Sequence, residues 1–178
     1  LVLLCKNETG YRNLSYMVSQ AYIEGFYIKP RIDLNLLREH SEGLIALSAC
    51  LAGEIPKRLL NGDYAGAKEY ALTMRDIFGE EDFYLELQDH GIAEQTEVNR
   101  GLLRLHNETG IPLVCTNDAH YLRKEDAESH DVLLCIQTGK TVDDENRMRY
   151  EPRNFYLRST EEMEGLFSAY PDAVANTQ

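Results

Sequence analysis

Short apolar runs that alternate with segments of helical periodicity constrain this chain more than any other feature. Leu1–Cys5, Gly43–Ser48, Asp82–Leu87 and Ile111–Thr116 have the length and branching of strands. Between them, Tyr11–Ile23 places Leu14, Met17, Val18, Ala21 and Tyr22 at helical spacing before Gly25 breaks the pattern. Asp33 is placed to cap a short helix, Leu34–His40. Glu54–Leu60 and Asp63–Phe78 follow around an Asn61-Gly62 turn, and Thr96–Glu108 closes at Gly110. Further on, Lys124–Gln137 carries an apolar face, Pro152–Arg158 has an extended pattern, and a last helix opens at Thr160. Strand, helix and strand joined by short turns predict an α/β fold whose parallel strands are linked by right-handed crossovers. Four strands are too few to close a barrel, so a barrel would need further strands upstream.

The bounds are consistent with one domain of 178 residues. No apolar run is long enough to span a bilayer, which predicts no membrane association. The opening residues lack an initiator Met and the marks of a signal peptide, and are expected to be an internal piece of a longer protein. Cys5, Cys50, Cys115 and Cys135 are widely spaced and mostly lie in apolar runs, the usage of free thiols in a reducing cytoplasm. A net charge of −12 argues against this segment wrapping nucleic acid by itself, and suits metal binding, solubility or a basic partner. Dinucleotide and phosphate-loop glycine patterns are absent, as is a nucleophile-elbow serine, which argues against a Rossmann protein or a serine hydrolase.

The strand ends carry the chemistry. Asp118 and His120 follow the fourth strand two residues apart, a spacing that in extended backbone turns both side chains to one side. A hard carboxylate beside a borderline imidazole is a ligand pair for a divalent metal. Cys50 follows the second strand; it could be a thiolate ligand or a small buried apolar residue. Glu86, Asp89 and His90 cluster at the third strand end, where a charged residue needs either a partner or the open mouth of a site. His40 and His106 fall at helix C-termini, where an imidazolium complements the dipole. His130, beside Glu128 and Asp131, is expected on a solvated helix face.

Several strings resemble one family. Asn7-Glu8-Thr9-Gly10-Tyr11-Arg12-Asn13-Leu14, Ser48-Ala49-Cys50-Leu51-Ala52-Gly53-Glu54 and Tyr84-Leu85-Glu86-Leu87-Gln88-Asp89-His90-Gly91 are similar to the PHP (polymerase and histidinol phosphatase) domain of bacterial DNA polymerase III alpha subunits. So are Gly25–Asp33, Thr116–Tyr121 and Asp131–Lys140, all in the same order along the chain. The resemblance implies the C-terminal portion of a distorted β/α barrel of the seven-stranded type, with parallel strands and its N-terminal strands missing. Residues 1–147 would belong to that domain, and 148–178 would end it and lead into the polymerase core.

The resemblance also implies divalent metal ions, zinc or manganese, at the barrel mouth, supporting 3′–5′ exonuclease proofreading when the domain is complete. Cys50, Asp118 and His120 match metal ligands. Glu86, Asp89 and His90 lie near the mouth, and no residue is assigned as catalytic. The family's other ligands, including a His-x-His motif, would lie upstream, so the fragment alone would hold an incomplete site and be inactive. The implied partners are the rest of the alpha subunit, DNA through the intact protein, and a separate proofreading exonuclease. Two alternatives stay open: a non-catalytic scaffold that braces the polymerase, and a free-standing phosphoesterase.

Overall fold

The computed structural model describes residues 1–178 as four strands and eight helices. The strands are β1 (Val2–Cys5), β2 (Leu44–Leu47), β3 (Phe83–Leu87) and β4 (Leu113–Cys115), and they form one open sheet in chain order. β2 pairs parallel to β3, and β3 parallel to β4, as the alternation predicts. β1 departs from the prediction and runs antiparallel to β2, with Val2 opposite Leu47 and Cys5 opposite Leu44.

The reversal has a local cause. α1 (Glu8–Ile23) carries the chain away from the end of β1, and residues 24–41, which include α2 (Leu34–Glu39), bring it back to the same end. There the Lys6 N–H donates to Gly43 O at 2.8 Å, so β2 starts where β1 finishes. The backbones of Gly10 and Gly43 meet so closely that a Cβ on Gly10 would lie 1.9 Å from Gly43 O. A glycine is required at that crossing.

Helix starts follow the capping chemistry of the sequence. Asn7 accepts from Gly10 N–H at the start of α1, three residues before the helix predicted from apolar spacing. Asp33 caps α2 and Asp63 caps α4 (Tyr64–Phe78), while Ser159 and Glu162 form a reciprocal capping box at α7 (Thr160–Leu166). α3 spans Glu54–Leu60, and α5 spans Ala93–Thr109 and ends on Gly110 in the left-handed region. A turn of 3₁₀ helix at Lys124–Asp126 leads into α6 (Ala127–Thr138), and α8 is Pro171–Ala175.

The core lies between the inner strands and the helices packed on them. Phe83, Leu85, Leu87, Met74, Leu102, Leu105 and Ile111 are buried there, and Ala67 and Ala71 let α4 approach closely. Each large apolar side chain contributes roughly 1.5–3 kcal/mol by burial. Phe167, the C-cap of α7, and Ala173 of α8 join the same core, and Asn176 Nδ2 donates to Leu113 O at 2.8 Å on the edge strand β4. Residues 160–176 therefore pack with the sheet rather than apart from it. All four cysteines are free; Cys115 and Cys135 are buried, Cys50 is half-buried and Cys5 is exposed. No helix is long and apolar enough to cross a membrane.

Candidate metal centre at the strand ends

Because β2, β3 and β4 run parallel, their C-terminal ends open together, and the polar residues that follow them meet. Two of these ends carry strained backbone: Ala49 has φ +67° and Asp118 has φ +40°, in the left-handed region that disfavours a side chain. Ala49 precedes Cys50, so two of the three predicted ligands sit at or beside such a bend. Asp118 Oδ1 lies 3.6 Å from His120 Nε2, and both side chains are about one-third exposed. Extended alternation predicts that the two side chains project together. In the structure β4 ends at Cys115 and a turn through Asp118 brings them together instead.

A polar cluster centred on Glu86 joins the same strand ends. Its carboxylate is buried, yet no cation approaches it; donors do. Oε2 accepts from Ala49 N–H at 3.0 Å, and Oε1 accepts from Gln88 Nε2 at 2.9 Å and from the Thr116 hydroxyl. Ser48 Oγ accepts from Glu86 N–H at 2.8 Å. One side chain thus ties together the ends of all three parallel strands.

His90 is fully buried, and its bonds fix its tautomer. Gln95 Oε1 accepts from His90 N–H at 2.8 Å, so the Gln95 amide nitrogen is the one that donates to Nδ1, also at 2.8 Å. Nε2 then carries the proton and donates to Asn117 O at 2.7 Å. Both ring nitrogens are committed, leaving no lone pair for a metal. Burial, foremost, pushes the His90 pKa down from 6.5. With the folded value below the unfolded one, the unfolded chain binds more protons between the two, so stability rises with pH through that window. The contribution is complete above pH ~6.5 and is lost as pH falls through the folded value. Nitrogen-15 NMR is expected to show the Nε2–H tautomer at neutral pH and a titration midpoint below 6.5; a midpoint at or above 6.5 would refute the assignment. Asp89 turns outward, where its Oδ1 accepts from Gly91 N–H at 2.9 Å.

His130 does not sit on a solvated face as predicted. It is half-buried, with its ring centroid 5.7 Å from that of His120, 5.3 Å from Tyr121 and 5.1 Å from Tyr150. The reason is the return of residues 140–158 across the strand ends. His120 N–H donates to Phe155 O, Leu157 N–H donates to Tyr121 O, and Phe155 stacks on His90 with centroids 4.0 Å apart. Sequence reasoning also missed Asn117, which accepts from Arg158 Nη1 at 3.0 Å and donates to Tyr156 O. Periodicity holds no sign of these contacts, which depend on a loop return.

The donor set suits a divalent ion in part. Asp118 and His120 stand side by side with the right chemistry, but no three His, Cys, Asp or Glu side chains of this chain converge tightly enough to hold an ion. Cys50 follows the second strand end, half-buried, beside the left-handed Ala49. Fold and site together define an α/β protein with a carboxylate–imidazole pair at the open ends of parallel strands.

Comparison with known proteins gives the family. The PHP domain profile matches residues 1–90, half of the chain, and the chain belongs to the PHP domain family. It is 50% identical over 177 residues to the DNA polymerase III subunit alpha of Treponema pallidum (strain Nichols), covering 99% of this chain and 15% of that protein. It is 48% identical over 177 residues to the protein of the same name from Borreliella burgdorferi, again covering 99% of this chain and 15% of that protein. Identity to the one from Thermus aquaticus is 48% over 166 residues, covering 93% of this chain and 14% of that protein. The chain thus spans about 15% of the length of these relatives.

Proposed function

We propose that this chain is part of the PHP domain of a bacterial DNA polymerase III alpha subunit, and that the whole domain uses divalent metal ions to hydrolyse the 3′ end of a DNA strand. The observation that carries this reading is the Asp118–His120 pair, 3.6 Å apart at the open ends of the parallel strands. Asp118 supplies a charged oxygen, His120 a neutral nitrogen, and Cys50 a thiolate that favours zinc over magnesium. The remaining ligands come from parts of the subunit outside this sequence, including the strands that would complete a seven-stranded barrel. Zinc or manganese bound there would supply positive charge, and zinc would lower the pKa of a water it holds to about 7. The chain's own residues hold the geometry: Glu86 ties the strand ends, and His90 and Asn117 fix the turn that carries Asp118.

In this reading residues 148–178 lead toward the polymerase core, nucleotidyl transfer belongs to the rest of the subunit, and the protein works in the cytoplasm. The net charge of −12 supports a second reading, a non-catalytic brace that docks a basic protein such as a separate proofreading exonuclease. Metal analysis of the reconstituted intact subunit separates the two. About two to three ions bound per subunit are expected for a phosphoesterase of this kind. A subunit that binds none leaves only the brace.

A further inference from the structure

Residues 139–158 form a strap across the strand ends, and the strap is fastened on both sides of Tyr150. Three residues before it, the Arg147 guanidinium, only 4% exposed, forks onto Asp131 of α6, with Nη2 2.7 Å from Oδ2. Four residues after it, Asn154 Nδ2 donates to His90 O at 3.0 Å, and Phe155 stacks on the buried His90 ring. A tyrosine set between two such anchors is held in one place. Its ring lies 4.4 Å from His120, 5.1 Å from His130 and 4.9 Å edge-on from Phe155. The phenol makes no hydrogen bond within the protein, although its ring is half-buried.

The Tyr150 O–H is therefore free to donate to a bound molecule. From residue 147 onward the strap is also basic within an acidic chain, with Arg147, Arg149, Arg153 and Arg158 against Glu151. Arg149 and Arg153 flank Tyr150 and are both exposed; Arg149 Nη2 donates to Asp144 O at 3.2 Å, and Arg153 Nε lies 3.8 Å from Glu151 Oε1. Guanidinium groups beside an aromatic hydroxyl suit a phosphodiester strand, whose phosphates they would pair while the ring meets a sugar or base.

We infer that Tyr150 is a substrate-contacting residue, its phenol donating to a phosphate oxygen of the terminal nucleotide of a single strand held at Asp118 and His120, with Arg149 and Arg153 on the neighbouring phosphates. This inference rests on the hydrolytic reading of the site for its substrate class.

Two measurements on the intact alpha subunit test it separately from that reading. The first is photo-cross-linking of the EDTA-treated subunit to an oligonucleotide ending in 5-iododeoxyuridine, with adducts mapped by mass spectrometry. An adduct on the peptide containing Tyr150 is expected, weakened by R149Q/R153Q. Adducts found only elsewhere would overturn the contact, even if the subunit hydrolyses DNA. The second compares Tyr150→Phe with the parent. Removing one donor to developing charge is expected to lower kcat about 100-fold. KM and bound metal should stay nearly unchanged. A Phe variant with parental kcat would reduce Tyr150 to a packing residue. An adduct at Tyr150 in a subunit without hydrolysis would uphold the contact and remove the hydrolytic reading instead.

Discussion

If the proposed metal centre cleaves single-stranded DNA, Asp118→Ala in the intact subunit lowers that cleavage by more than about 100-fold. Loss of a residue that merely orients a metal ligand costs 10- to 100-fold, and a direct charged ligand should exceed that. The left-handed backbone at Asp118 adds a design constraint, because alanine tolerates φ +40° less well than asparagine does. Asp118→Asn keeps the conformation and the approximate shape and removes the charge. Both variants should therefore lose cleavage and bound metal, while circular dichroism shows the fold retained. If Asp118→Asn cleaves at the parental rate, the centre lies elsewhere.

Glu86→Ala is expected to destabilise the 178-residue chain by about 2 kcal/mol or more. The carboxylate accepts from Ala49 N–H, Gln88 Nε2 and the Thr116 hydroxyl at the strand ends; alanine leaves Ala49 N–H and the Thr116 hydroxyl without this acceptor, while Gln88 Nε2 keeps its bond to Thr116 Oγ1. An unsatisfied buried donor costs about 1–3 kcal/mol, with water entry recovering part of the sum. Glu86→Gln is the sharper variant. It fits the same space but turns an amide donor toward one of the existing donors, for a cost of about 1–3 kcal/mol. Urea denaturation followed by far-UV circular dichroism reads both. A Glu86→Ala midpoint matching the parent would remove Glu86 from its place as the tie between the three strands.

The two residues differ in how far the sequence revealed them. Asp118 was visible because a carboxylate and an imidazole follow an apolar run at ligand spacing. Glu86 was visible only as a problem, a charge inside Phe83–Leu87 that needed a partner or an open mouth. The structure answers with three donors from β2, β3 and β4, and no local pattern holds that information. His90 was grouped with the mouth on position alone; its committed ring nitrogens depend on Gln95, five residues on, and on Asn117, from another strand end. The metal-ligand role of Cys50 still rests on family resemblance and its strand-end position.

The sequence by itself determined the alternation of strands and helices, most helix starts and stops, and the polar character of the three strand ends. These are local matters of periodicity, capping and turn chemistry. Only the tertiary structure decided the antiparallel β1, which depends on residues 24–41 returning to the end they left. It alone placed His130, Tyr150 and Phe155 against His120, through a strap whose anchors, Arg147 on Asp131 and Asn154 on His90, join residues distant in sequence. Loop returns of this kind are set by the balance of many long-range contacts, and leave no periodic trace in the chain that makes them.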